Sequence, residues 1–370
     1  MKRIVLLLLA AAIMIAPLSC TEPPGAETEE RTEEKSTAEN ITNVTDAQTA
    51  AVTEKQTQTE TEQTAEEYMS YQLIRDLRFE RGITLLSQKD HQHNDRIKEL
   101  AKHDFYGGEA SKPIWKLAQW DSGPDFVSNL IESPADTLTD GKWRTFRYDP
   151  ETNTMTFRLD TSAYYGGRPS KEGDYWPHLL IEEGTFEVFD VGKNNKFYNC
   201  DSDKLVVSFD IRLGDYKETA IEGDWVRAAQ FLMYFYVKGI DTNDFCWFGL
   251  QMFDNRWELN GNYTGYDGGK ADASGAMIFS IGSRHVYENS GATLWENGSP
   301  KPNGDWIHVE IDIKPYLEKM LERGNEDGYF KAKSLSGLRI NGMNLGWETI
   351  GTFDHTMQMR DLQLVSYRKS

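Results

Sequence analysis

Leu205-Val206-Val207-Ser208-Phe209-Asp210-Ile211-Arg212-Leu213 is the stretch that decides the fold class. Leu205, Val207, Phe209, Ile211 and Leu213 alternate with Ser208, Asp210 and Arg212. Side chains of successive strand residues point to opposite faces, so this period of two describes a half-buried antiparallel strand. The next run, Gln230 to Lys238, is apolar or aromatic on both faces, with Phe231, Met233 and Phe235 on one and Leu232, Tyr234 and Tyr236 on the other. That pattern suits a central strand with one face in a core and the other beneath a lined groove. Eight further short runs, separated by Gly, Asn and Asp, complete the set: Ile114 to Trp120, Thr154 to Leu159, Leu179 to Glu182, Phe245 to Phe253, Ala276 to Ile281, Trp306 to Ile313, Gly337 to Ile340 and Gln358 to Tyr367. Strand and turn signals at this density predict an all-β sandwich or jelly roll.

Helical signals are few. Pro315 to Arg323 opens with proline and sets Leu317, Met320 and Leu321 on one side, as expected of a single crossover helix. Tyr71 to Phe79 and Asn94 to His103, the latter with Ile97, Leu100 and Ala101 on one side, predict a short helical lead. Residues 68–370 read as one domain.

Residues 21–67 differ in kind. They hold thirteen acidic side chains against Arg31, Lys35 and Lys55, and no large apolar cluster. Such a segment buries too little surface to offset its ordering entropy, so it is expected to be an extended, disordered tether. Its net charge of -10 is more than half of the chain's formal -19. No basic patch appears anywhere, which argues against a nucleic-acid partner. Ahead of it, Met1-Lys2-Arg3, the apolar run Ile4 to Ala16 and Leu18-Ser19-Cys20 resemble a bacterial lipoprotein signal, although Pro17 stands where that family carries an aliphatic residue. The resemblance implies cleavage before Cys20, acylation of Cys20, and a protein anchored to the membrane at the cell surface or within the envelope. Beyond the anchor, Cys200 and Cys246 are either a disulfide or two separate thiols.

The segments SFDIRL, FLMYFYV, WIHVEIDIKPYLEKML and SLSGLRINGMNLGWET, with MQMRDLQLVSY near the C-terminus, resemble the β-sandwich domains of bacterial carbohydrate-active proteins: lectin-like and glucanase-like jelly rolls and carbohydrate-binding modules. Catalysis within such a fold would need two carboxylates across a cleft. Glu310 and Asp312 begin the alternating carboxylate pattern of the laminarinase type, with His308 on the same face, but Lys314-Pro315 follow and the third carboxylate is missing. Glu182, Glu183 and Glu348 are the other candidates. No nucleophile elbow, zinc-protease helix or phosphate-binding loop occurs.

Loop aromatics carry the binding signal. Saccharide rings stack on flat aromatic surfaces while their hydroxyls call for polar partners. Tyr165, Arg168 and Trp176 form one such mixture, Arg256, Trp257, Asn262, Tyr263 and Tyr266 a second, and Trp295 a third. The resemblance also implies a structural calcium, for which Asp201, Asp203 and Asp361 are candidates. The reading that follows is a membrane-anchored lipoprotein binding polysaccharide or oligosaccharide. The alternative is a glycoside hydrolase or polysaccharide lyase with its cleft on the concave sheet, and a third possibility is an adhesive envelope protein.

Overall fold

The computed structural model describes residues 68–88, 98–119, 123–184, 189–190, 196–197, 199–219, 222–256, 261–268, 275–295 and 297–369. Cys20 and the acidic segment 21–67 lie outside the described residues, as does Trp257.

Two sheets face each other. The first, in spatial order, is β16 (Ile307–Asp312), β11 (Lys204–Glu218), β18 (Phe353–Lys369), β7 (Thr154–Asp160), β6 (Arg144–Asp149) and β5 (Thr137–Thr139), with β1 (Tyr68–Gln72) also paired to β18. The second is β14 (Tyr263–Tyr266), β15 (Met277–Ile281), β13 (Phe245–Asp254), β12 (Ala228–Gly239), β17 (Leu338–Ile350), β8 (His178–Gly184), β4 (Trp115–Ala118), β2 (Ile83–Leu86) and β3 (Glu99–His103). A small ladder joins β9 (Phe189–Asp190) to β10 (Lys196–Phe197). Pairing is antiparallel except between β13 and β15 and between β2 and β4.

The alternation read from Leu205 to Leu213 is realised in β11, where the apolar set is buried and the polar set half-exposed. Across the core, the rings of Phe157 on β7 and Phe231 on β12 meet at 5.3 Å, and the Trp347 indole Nε1–H donates to the Phe157 carbonyl at 3.1 Å. Each fully buried aliphatic or aromatic side chain of this layer contributes about 1.5–3 kcal/mol of transfer free energy. The crossover helix α3 (Lys314–Glu326) carries Pro315 in its first turn and buries Leu317, Met320, Leu321 and Gly324. Two shorter helices are α1 (Thr161–Tyr164) and α2 (Ser283–Tyr287).

The N-terminal lead differs from expectation. Helix-like spacing is present over Tyr71 to Phe79, but Tyr68–Gln72 pairs with β18 and the following residues turn. Of the second expected helix, Glu99–His103 is an edge strand paired with β2. Each segment finds a sheet edge to pair with, and those ladder bonds outweigh a weak local helical preference. Cys200 and Cys246 are separate buried thiols rather than a bridge.

Candidate functional site

The outer face of the nine-stranded sheet, turned away from the core, collects the chemistry. Register puts one row of neighbours across eight strands: Tyr263, Ser280, Gly249, Tyr234, Asn344, Glu182, Lys116 and Thr84. A second row on the same face holds Asp254, Gln230, Glu348 and His178. Residues directly opposite one another in a ladder share a face, so these side chains emerge together. Between the rows lie Leu232, Gln251, Gly346 and Leu180.

Strand β17 shows how this face is built. Gly342, Asn344, Gly346 and Glu348 alternate with Met343, Leu345 and Trp347, whose side chains are buried in the core. Glycine in a strand interior marks close approach by another group. A Cβ at Gly342 would lie 3.3 Å from the Tyr236 ring, and one at Gly249 would lie 2.3 Å from the Tyr234 ring. Both tyrosines therefore lie across bare backbone. Tyr234, Leu232 and Ile278 form a small outer cluster with Trp247 and Tyr263 packed against it. Trp247 meets Tyr236 edge-on at 5.3 Å.

Glu182 accepts a hydrogen bond from the Tyr236 hydroxyl at 3.2 Å. Burial raises its carboxyl above the ordinary glutamate range, against the opposing pull of Lys116 and the Tyr236 hydrogen bond. Burial likewise raises the Tyr234 and Tyr236 phenols; for Tyr234 the carboxylates of Glu348 and Asp254 and the Tyr263 phenol add to the rise, for Tyr236 that of Glu182. Neighbouring Glu183 points the other way, into the core, with no exposed surface. Its Oε1 accepts from Arg75 Nε at 3.2 Å, and burial pushes its carboxyl up to about 7. Adjacent glutamates thus have unrelated surroundings, because a strand turns consecutive side chains to opposite faces.

The remaining sequence candidates are dispersed. Trp176 is buried against Ala228 and Ile350 at one end of the outer face, with Trp225 and Val226 beside it. Tyr165 is buried and donates its hydroxyl to the Tyr175 carbonyl at 3.1 Å, while Arg168 grips Asp174 through two bonds of 2.7 and 3.0 Å. Arg256 clamps Asp254. Asn262 is exposed and accepts from the Gly282 amide, and Tyr263 sits on the outer face. Tyr266, 45 % exposed, donates to Asp327 at 2.8 Å. Trp295 packs edge-on against Tyr216. Glu310 is exposed on the seven-stranded sheet, and Asp312 accepts from the Leu205 and Lys314 amides, tying β11 to the start of α3.

The calcium candidates do not converge. Asp203 accepts from the Lys369 amide at 2.8 Å, and Asp201 is exposed. Asp361 occupies a left-handed bulge of β18, with φ of 54°, and accepts from Asn153. Among the described residues no three His, Cys, Asp or Glu side chains gather as a metal site.

No family model matches the chain, and no curated protein matches it. Solved structures similar to it include a family 12 xyloglucanase from Bacillus licheniformis, 9 % identical, covering 62 % of this chain and 87 % of that one with a TM-score of 0.37. An endoglucanase from Rhodothermus marinus is 10 % identical, covering 65 % and 91 % with a TM-score of 0.32. A family 11 xylanase from Neocallimastix patriciarum is 9 % identical, covering 64 % and 88 %, also at 0.32.

Tyr234, Trp247, Asn344, Gln230 and Gln251 were not singled out as site residues from sequence, whereas Asp254 opens the second of the loop segments that were. The signal that could have found them is the paired alternation in β12 and β17: aromatic residues on the outer positions of one, glycine and polar residues on the outer positions of the other.

Proposed function

We propose that the domain cleaves an uncharged polysaccharide laid on the outer face of the nine-stranded sheet, with Glu182 as proton donor and Glu348 as the second carboxylate. The observation that carries this reading is the presence of both glutamates on one sheet face with Tyr234, Tyr236, Trp247 and Asn344. A general acid must hold its proton near neutral pH, and burial moves Glu182 in that direction. Glu348 lies four residues along and one strand over from Glu182. Ordinary strand dimensions make that about 14 Å between backbones. A backbone separation of that size excludes the 5–5.5 Å of a retaining pair, and the roughly 6.5–9.5 Å of an inverting pair requires Glu182 to swing from Tyr236 toward Glu348. Inversion at the anomeric carbon is the expected outcome.

Charge on this face is mixed: Glu182, Glu348 and Asp254 stand among Lys102, Lys116, Lys238, Arg256 and Arg339, so the neutral substrate rests on the uncharged amides and aromatic rings beside the two glutamates. A lyase reading would need cations to neutralise a uronate and a readily ionised base, whereas burial makes both tyrosines harder to ionise. The long backbone separation of the glutamates also suits a surface that binds polysaccharide without cutting it. The same proposal retains the anchor: acylated Cys20, a tether over 21–67, and an envelope or cell-surface location in a bacterium, all resting on sequence.

The deciding experiment incubates the purified protein with a panel of neutral and acidic polysaccharides, measuring retention and new reducing or unsaturated ends. Cleavage of a neutral polymer, abolished in Glu182→Gln and Glu348→Gln while retention persists, supports the hydrolase. Retention with no new ends leaves a binding module. Unsaturated ends from an acidic polymer would overturn the proposal.

A further inference from the structure

A bulge in β13 brings together groups that its sequence spacing should separate. Gln251 and Asp254 are three residues apart and would face opposite sides of a regular strand. Phe231 is opposite Phe253 but Leu232 is opposite Gln251, so Met252 is an extra residue and the phase slips by one. Gln251 and Asp254 consequently share the outer face. Bulges of this kind re-aim side chains beside functional surfaces.

Asp254 has no exposed surface, and both of its oxygens are saturated. Oδ1 accepts from the Arg256 amide and from Arg256 Nε, each at 3.0 Å. Oδ2 accepts from Gln230 Nε2 at 2.9 Å, Gln251 Nε2 at 2.7 Å and Arg256 Nη2 at 2.8 Å. A carboxylate engaged by five donors is poorly placed to act as a nucleophile, but it fixes what it holds. Gln230 stands directly between Asp254 and Glu348 in the ladder. The Oε1 atoms of Gln230 and Gln251 accept no hydrogen bond from the described residues. Each amide thus keeps an oriented acceptor and a second N–H, the complement of a hydroxyl, and carries no charge.

We infer that Asp254 is a positioning residue that presents Gln230 and Gln251 to the hydroxyls of an uncharged sugar residue bound beside Glu348. This deepens the proposed function and rests on it. Fixing both amides in advance spares the ordering cost that two free glutamine side chains would otherwise incur on binding.

The test measures calorimetric affinity for a neutral oligosaccharide cut from the polymer found in the panel, using the full protein and the variants Gln251→Ala, Asp254→Asn and the double variant. Gln251→Ala is expected to bind about tenfold more weakly, the effect of roughly one hydrogen bond. Asp254→Asn should weaken binding at least as much, and cost less in the Gln251→Ala background than in wild type, since only its action through Gln230 is then left to lose. A purely structural role would not give this non-additivity. If Asp254→Asn fails to fold, Gln251→Ala decides, together with a deoxy analogue that loses affinity for wild type but not for the variant. Both single variants folding and binding like wild type would overturn the inference and leave the proposed function standing. A wild-type protein that neither binds nor cleaves any polymer would remove both.

Discussion

The indole of Trp347 and the imidazole of His355 stack at 3.9 Å with their planes 3° apart, one ring from each sheet. His355 Nε2 also meets the Thr349 hydroxyl at 3.0 Å. The two residues flanking Glu348 are therefore both fastened to the opposite sheet, which sets the backbone beneath the candidate carboxylate. Trp347→Ala should cost about 3–5 kcal/mol.

Stability should respond to pH through two buried groups of opposite sign. Burial pushes His355, which faces Trp347, Thr349 and Phe353 with Arg158 nearby, down to about 3 from 6.5. The unfolded chain then binds more protons between these values, so this contribution is complete above 6.5 and is lost as pH falls toward 3. Glu183, facing Arg75 and Asp76, is raised from 4.5 to about 7 mainly by burial. Here the folded state holds the extra proton, and stability declines as pH rises from 4.5 through 7. The two slopes oppose one another between 4.5 and 6.5. Melting temperature against pH should fall more steeply on acidification in Glu183→Gln than in wild type, and less steeply in His355→Gln. Unchanged slopes in both would refute the assignment.

Gly249→Ala tests whether the tyrosine floor matters. The new Cβ would sit 2.3 Å from Tyr234 and 2.8 Å from the Met233 carbonyl, so the ring must move. We expect a loss of about 1–3 kcal/mol from overpacking, and weaker retention on the panel polymer. A variant as stable as wild type would show that the ring has room to spare.

Trp176→Ala should act on stability first. Trp176 is 7 % exposed and fills a pocket with Ala228 and Ile350. The cavity should cost about 3 kcal/mol and lower the melting temperature by several degrees. An unchanged melting curve with lost retention would return Trp176 to the role of stacking platform.

For the proposed anchor, Cys20→Ser should remain an unprocessed precursor or leave the membrane fraction, and metabolic labelling with a fatty acid should tag only wild type. Equal labelling of both proteins would remove the lipoprotein proposal.

Much of the fold was legible in the sequence because its signals are local. Alternation in Leu205 to Leu213 needs only neighbouring side chains, and the helix from Pro315 needs only its proline and the spacing of Leu317, Met320 and Leu321. The N-terminal lead was misread because sheet edges elsewhere in the chain recruit it. Loop aromatics were weak guides for a related reason. Trp176 and Tyr165 sit in turn-rich sequence yet are buried, Trp176 against Ala228 and Ile350 from segments far away along the chain.

From residue order alone, β12 could be assigned two apolar faces and a groove above one of them, since the pattern of Leu232, Tyr234 and Tyr236 against Phe231, Met233 and Phe235 is complete within nine residues. Which carboxylates share that groove required the tertiary structure. Glu182 and Glu183 are equivalent in sequence, and only the pairing of β8 with β17 turns the first outward beside Asn344 and buries the second beside Arg75. Gln251 and Asp254 share a face only because β13 slips by one residue against β12. Pairing register joins residues more than a hundred positions apart, and a one-residue slip reverses every side chain beyond it, so the composition of the site follows from long-range ladders that no local pattern encodes.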